Sequence, residues 1–263
     1  MSLRVCVLGS GSSGNATYVA SDTTAVLIDA GLSTKELTRR LGEIGEDITR
    51  VNAVCVTHEH KDHIAGLPVL QRRHNIDIFA NSGTREGVAR DKKFNTLRWN
   101  IFITGSSFEI GDLCFEPFAV PHDAYEPVAY IVRHRDKAVG VLSDMGVCTN
   151  VIRERLKSVD ALVIESNYDE RLLTESPRPW FLKQRIMGSQ GHLSNEHAAE
   201  LASEVASERL KKIFLSHLSD DCNEESIALD TTRNRLQQEG HHHIDVSPTY
   251  KDKVSSYWRA ELA

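Results

Sequence analysis

No two of the five cysteines form a C-x-x-C pair: Cys6, Cys55, Cys114, Cys148 and Cys222 are odd in number and far apart. Neither a disulfide framework nor a thiolate zinc site is suggested, and a reducing cytoplasm is the simplest home. The opening residues lack a basic segment followed by a long apolar stretch and a small-residue cleavage site, so nothing marks the chain for export and no membrane association is expected. Basic residues are not in excess either. The 31 Lys and Arg against 37 Asp and Glu leave a formal charge of −6, which argues against a protein that coats nucleic acid through bulk electrostatics. A phosphate-bearing substrate would have to be held locally. Low-complexity tracts, Pro/Gly-rich linkers and internal repeats with shared letters are also absent. What remains is a globular composition, 40% apolar and 26% charged over 263 residues. That is long for one ordinary domain and short for two, so residues 1–263 are read as a single domain with a large core, built from two packed sheets or an α/β layer fold.

Short β-prone runs at Leu3–Leu8, Ala16–Ala20 and Ala25–Ile28 are divided by turn-rich residues 9–15 and 21–24. Leu37, Leu41 and Ile44 then recur at helical spacing behind Ser33, a candidate N-cap, with Gly45 as the stop. Ala53–Thr57 reads as a buried strand, Ile64–His74 as a helix and Ile76–Ala80 as another strand. From Ile101 to Leu142 the pattern is mostly β, with Val128–Val132 and Ala138–Leu142 forming a hairpin. Ala161–Glu165 and Ile213–Ser216 read as strands, and Glu196–Leu210 and Glu224–Glu239 as helices. Residues 170–194 show no periodicity, and loops of that length are often functional.

After the strand at 53–57 comes V-T-H-E-H-K-D-H. His58, His60, Asp62 and His63 on one short loop are a ligand set suited to zinc, manganese or iron. Alternation allows His58 and His60 to face the same side, and the turn at 61–63 directs Asp62 and His63 toward a neighbouring position. Three further metal-capable residues also follow β-prone runs: His122, Asp144 and His217. Glu59 and Lys61 are not read as ligands.

The order H-E-H-K-D-H, then Pro121-His122, S-D-M-G at 143–146 and S-H-L-S at 216–219, resembles the metallo-β-lactamase-fold hydrolases, as does Leu27-Ile28-Asp29-Ala30-Gly31. The resemblance covers nearly the whole chain and implies a four-layer αββα sandwich. It also implies one divalent metal on His58, His60 and His122, a second on Asp62, His63 and His217, Asp144 as the bridge, and Asp29 as a structural support. Zinc or manganese is expected, with iron or nickel admissible.

Fold alone does not choose a substrate. Glu165-Ser166-Asn167-Tyr168 and Gly191-His192-Leu193-Ser194-Asn195 are similar to segments of the RNase Z-like phosphodiesterase branch, where Glu and His pair beside the metals. Together with Leu8-Gly9-Ser10-Gly11-Ser12-Ser13-Gly14-Asn15 they resemble the YycJ (WalJ) family, which implies 5′-to-3′ exonuclease action on DNA and a role in mismatch repair. Fewer than a hundred residues separate Asp144 from His217, too few for the extra domain of β-CASP nucleases, and no Gly/Pro-rich arm like that of tRNA-processing RNase Z is visible. Two divalent ions would lower the pKa of a shared water toward about 7, so that hydroxide between them attacks phosphorus in line. Asp62 would orient this nucleophile, and His192, steadied by Glu165, would protonate the leaving oxygen. The rivals are a cyclic small-molecule phosphodiesterase, a glyoxalase II-like thioesterase, and a metal-bound regulatory protein without activity.

Other features read more plainly. Gly9–Asn15 lacks the Gly-Lys-[Ser/Thr] ending of a nucleotide-binding loop and is read as a tight turn; the family resemblance implies that this turn, and with it Asn15, lies near the site. His241-His242-His243 is read as a surface turn, and His74, His134 and His197 as surface or helix-cap residues. Arg171, Arg178, Trp180, Phe181, Lys183 and Arg185 suit a nucleic-acid strand, with Arg178 and Lys183 on phosphates; equally, the segment suits a solvated loop anchored by its two aromatics.

Overall fold

The computed structural model describes residues 2–261. Among them the strands are β1 (Ser2–Gly9), β2 (Ala16–Ala20), β3 (Ala25–Ile28), β4 (Val51–Cys55), β5 (Asp77–Ala80), β6 (Trp99–Ile101), β7 (Phe108–Ile110), β8 (Leu113–Ala119), β9 (Val128–His134), β10 (Lys137–Leu142), β11 (Ala161–Glu165), β12 (Lys212–Ser216), β13 (Asp245–Pro248) and β14 (Trp258–Glu261). The α-helices are α1 (Thr34–Glu43), α2 (Lys61–Ile64), α3 (Leu67–His74), α4 (Ser82–Val88), α5 (Asn150–Leu156), α6 (Glu170–Glu175), α7 (Trp180–Met187), α8 (Asn195–Glu204) and α9 (Glu225–Gln238). No described helix is long and apolar enough to cross a membrane.

Two seven-stranded sheets run β14-β1-β2-β3-β4-β5-β6 and β7-β8-β9-β10-β11-β12-β13. Their burial explains why alternation is faint in the sequence: both faces of each sheet are covered, so strands read as continuous apolar runs. In β1, Val5 and Val7 point between the sheets, while Cys6 and Leu8 pack under Leu37, Leu41 and Leu67 of the helices outside. In β11, Ala161 and Val163 face inward, and Leu162 and Ile164 meet Leu156, Leu201 and Leu236 on the opposite outer face. The result is four layers, helix, sheet, sheet, helix.

Read from their β14 and β7 edges, the two sheets have the same pairing order: three antiparallel contacts, then three parallel ones. The chain therefore does contain an internal repeat, one of topology rather than letters. Parallel crossovers are what bring strand C-termini to one edge: Glu165 ends β11, and the loops after β3, β4, β8, β10, β11 and β12 carry Asp29, His58, His122, Asp144, Ser166 and His217.

Several local elements differ from their sequence expectation. The single helix expected over 64–74 is two, because the Gly66 amide donates to Ala30 O (2.7 Å) and Pro68 sits in the first turn of α3. The helix expected to reach Leu210 stops at Glu204, and the following turn tucks Leu210 into the core. His134 is buried rather than superficial, bonded through Nδ1 to Asp112 O at 3.0 Å. His241–His243 form the expected turn before β13.

The largest surprise is residues 170–194, which fold into α6 and α7. In α7 the binary pattern is inverted: Lys183 is buried and Trp180 and Phe181 are exposed. The Lys183 ammonium caps the preceding helix by donating to Thr174 O (2.6 Å) and Ser176 O (2.7 Å). Lys183 is thus removed from the set of substrate contacts, and the two aromatics are not anchors to the core.

Gly31 shows how tightly the histidine loop is seated. A Cβ there would lie 1.6 Å from Asp62 O, which is also held by the Asn15 amide at 2.7 Å. Backbone cannot yield as a side chain would, so Gly31→Ala is expected to cost about 3 kcal/mol. Urea unfolding would check it; an unshifted midpoint would show that the loop moves freely.

Candidate metal centre

His58, in the loop after β4, turns Nε2 toward His60 Nδ1 (3.0 Å) and Asp144 Oδ2 (3.5 Å). His122 Nε2 lies 3.4 Å from His60 Nδ1 and 3.5 Å from the same Asp144 oxygen. Four ligand atoms of a tetrahedral ion with bonds of about 2.0–2.1 Å stand about 3.4 Å apart, so this spacing is that of a metal site. Beside it, His63 Nε2 is 3.4 Å from Asp62 Oδ2 and 3.5 Å from Asp144 Oδ2, and His217 Nε2 is 3.8 Å from Asp62 Oδ2. Asp144 belongs to both groups. Its Oδ1 is buried without a hydrogen bond; His217 Nδ1 is 2.8 Å away but aligns with Glu165 Oε1 at 2.9 Å.

The outward nitrogens are also committed, which fixes the tautomers. His63 Nδ1 donates to Asp29 Oδ2 (2.7 Å), and His122 Nδ1 to Gly191 O (3.0 Å). Thr57 donates its amide and hydroxyl to Asp29, both at 2.8 Å, leaving the hydroxyl oxygen to accept from His58 Nδ1 at 2.9 Å. His58, His63, His122 and His217 therefore turn Nε2 inward, the orientation that ligating imidazoles receive from such partners. Asn15 Nδ2 donates to Asp62 Oδ2 (3.1 Å) and lies 3.0 Å from His63 Nε2.

Two of these residues sit in left-handed backbone, Asp29 at φ 63° and His217 at φ 56°. Both are clamped. The His217 amide donates to Ser10 Oγ (2.6 Å) and its carbonyl accepts from Asn167 Nδ2 (2.7 Å), so the strained conformation is over-determined, as it often is at working sites.

Charge is arranged to receive cations. Burial opposes protonation of His63, yet Asp29 and Asp144 outweigh it and lift its pKa well above the histidine range. His217 is lifted likewise against burial, by Asp144 and Glu165. Burial holds His58 well below that range, with His63 adding to the effect, and also lowers His122. Burial resists ionisation of Asp144, but His217 and His63 hold it well below the carboxylate range. Excess protons thus occupy the group around Asp62, His63 and His217, where a metal ion would displace them.

Glu165 does more than its place in the sequence suggests. Wholly buried at the end of β11, its Oε1 accepts from His192 Nδ1 (2.6 Å) and His217 Nδ1, and its Oε2 accepts from the amides of Met145 (3.0 Å) and Leu193 (3.2 Å). A carboxylate satisfied on both oxygens acts as an orienter. Above it opens a cavity of about 280 Å³ whose walls include Asp62, His122, His192, His217, Arg178 and Arg185. Thr57, Ser10 and Asn167 escape sequence reasoning because small polar residues beside a strand end carry no spacing signal.

A family profile described as "Beta-lactamase superfamily domain" matches residues 24–217. The chain belongs to that superfamily. Within the superfamily it is 37% identical to exodeoxyribonuclease WalJ of Streptococcus pneumoniae, over 89% of this chain and 88% of that one. It is 35% identical to exodeoxyribonuclease YycJ of Bacillus anthracis, over 91% of each. These matches place it in the WalJ/YycJ family, and it is a metal-dependent hydrolase. Among solved superfamily structures, the metallo-β-lactamase fold protein YhfI from Bacillus subtilis superposes with a TM-score of 0.75 over 99% of this chain and 100% of its own, at 15% identity. Human tRNase Z short form does so with 0.64 over 96% and 98%, at 17% identity. Both share the αββα architecture.

Proposed function

We propose that the chain is a 5′-to-3′ exodeoxyribonuclease with two adjacent divalent-metal sites, one on His58, His60 and His122, the other on Asp62, His63 and His217, joined by Asp144. The observation that carries this reading is the His192–Glu165 pair at the metal centre, which equips it for leaving-group protonation. The names of the WalJ and YycJ relatives supply DNA as the substrate and exonucleolytic action as the mode. Divalent ions held there supply Lewis acidity, which neutralises charge on a phosphoryl group and makes water acidic enough to attack at neutral pH.

The remaining chemistry belongs to the protein. Glu165 accepts the hydrogen bond of His192 Nδ1–H and favours the imidazolium, so the other ring nitrogen faces the cavity and gives its proton to the departing oxygen, leaving His192 neutral. Asp62, steadied by Asn15, borders the same cavity and orients the attacking water. Arg178 and Arg185 on the wall provide local positive charge that the net charge of −6 does not. A thioester substrate has a thiolate leaving group that needs no such acid, which disfavours the thioesterase reading.

Single- and double-stranded DNA and RNA with 5′-phosphate or 5′-hydroxyl ends, a simple phosphodiester and a thioester, each with Mn²⁺ or Zn²⁺, form the deciding panel. Stepwise loss of nucleotides from the 5′ end of DNA is expected. Turnover of the thioester alone would overturn the proposal.

Asp29 offers a second check. Asparagine tolerates its left-handed φ, so Asp29→Asn keeps the backbone but places an amide where His63 and Thr57 need an acceptor. Metal affinity is expected to fall by about 10–100-fold, read by competition with a chromophoric chelator.

A further inference from the structure

We propose that Phe181 is a platform on which an unpaired nucleobase of the substrate strand stacks, between two arginines that take the adjoining phosphates; the inference rests on the nuclease reading above. Phe181 is 72% exposed in the first turn of α7. Its neighbour one turn on, at i+4, is Arg185, and three residues before it is Arg178; both arginines line the cavity over the metal centre, as do Leu182 and Ile186 of the same helix. Phe181 is not part of that wall itself; one turn from Arg185, it stands at the rim, flanking the cavity-lining face of α7. Trp180, 60% exposed, shares its stripe with Met187 at i+7, on the side turned away.

The helix is a rigid mount. Ile186 packs with Tyr168, Leu173 and Cys222, and Lys183 is tied to the end of α6 from below, so the inward side is filled and Phe181 is left to solvent. An exposed phenyl above a buried lysine reverses the ordinary distribution and leaves an aromatic face where a π-stacked base would lie. The charges fit the same ligand. Arg178 pairs with Asp221 at 2.9 Å and Arg185 with Asp123 at 2.7 Å, on carboxylates 73% and 53% exposed. Such exposed pairs are weakly held, and a phosphate offers the guanidinium a stronger bidentate partner.

Steady-state kinetics of the metal-loaded full chain test this with a single-stranded deoxyoligonucleotide and, in parallel, bis(4-nitrophenyl) phosphate. Phe181→Ala is expected to raise KM for the strand on the order of tenfold, leaving kcat and the small diester little changed. Phe181→Tyr should restore the strand KM, and Trp180→Ala should not alter it. An abasic residue scanned through the three nucleotides nearest the cleaved end should, at one position, raise the wild-type KM equally and have no further effect on Phe181→Ala. Equal KM for wild type and Phe181→Ala would overturn the stacking assignment while leaving the nuclease reading intact; absence of phosphodiester cleavage by the wild type would overturn both. A change in molar mass by light scattering on Phe181→Ala, with KM unmoved, would assign the residue to a contact between copies of the chain instead.

Discussion

Asp144→Asn should lower phosphodiester turnover on the order of 10³-fold or more and release metal measurable by elemental analysis. The reasoning begins with one oxygen. Asp144 Oδ2 is 3.5 Å from the inward nitrogens of His58, His63 and His122 alike, so its charge serves both halves of the site at once. An amide keeps the shape but removes the charge. Lewis-acid stabilisation is worth several kcal/mol in a transition state, and about 4 kcal/mol corresponds to roughly 10³-fold in rate. The substitution also removes one of the two carboxylates that balance the protons of His63 and His217, leaving Asp29 to the first and Glu165 to the second. Full metal content with full activity would dismiss Asp144 as the shared ligand.

The second large effect separates chemistry from metal binding. His192→Ala is expected to cut turnover on the order of 10²-fold or more with metal content unchanged, because the proposed ligands all remain and the His192 ring, though it lies beside those of His122 and His217 at 5.4 and 5.2 Å between centroids, commits its Nδ1 to Glu165. Burial disfavours the His192 imidazolium, but Glu165 outweighs it and raises the pKa above the ordinary histidine value. The acid form is therefore present below that raised pKa and disappears as pH rises through it. The wild-type kcat/KM profile should show an alkaline limb that His192→Ala lacks. Metal loss, or an alkaline limb preserved in the variant, would exclude His192 as the proton donor. A diester whose leaving group needs no protonation should be far less sensitive to the substitution.

Much of the fold was legible because hydrophobic runs and turn residues agree with it locally. β2, β3 and β11 coincide with their apolar runs, and Ser33 caps α1 by accepting from the Glu36 amide. The candidate metal residues were legible for a different reason: histidine and aspartate following apolar runs survive any error of a residue or two in strand boundaries. What stayed hidden depended on tertiary context. α7 violates hydrophobic periodicity because its lysine caps a neighbouring helix and its aromatics face solvent. Glu165 could be paired with His192 by motif, but its bond to His217 required β11 and β12 to lie side by side. Asn15 was placed near the site by resemblance, whereas its bond to Asp62 follows from the Gly31 approach.

The duplicated pairing order of the two sheets puts the strand that completes the third antiparallel contact of each half, β3 and β10, in equivalent places, and each is followed by D-x-G: Asp29-Ala30-Gly31 and Asp144-Met145-Gly146. Both glycines admit backbone where a side chain would collide, with Asp62 in one case and Gly188 and Ser189 in the other. One aspartate braces a histidine from outside while its counterpart stands at the centre, so a single structural part has been put to two uses. Neither half owns the site: His58, His60, Asp62 and His63 come from the first sheet's loops and His122, Asp144 and His217 from the second's. An ion held among them would act as a rivet through the seam, making metal occupancy and cohesion of the two halves one linked equilibrium.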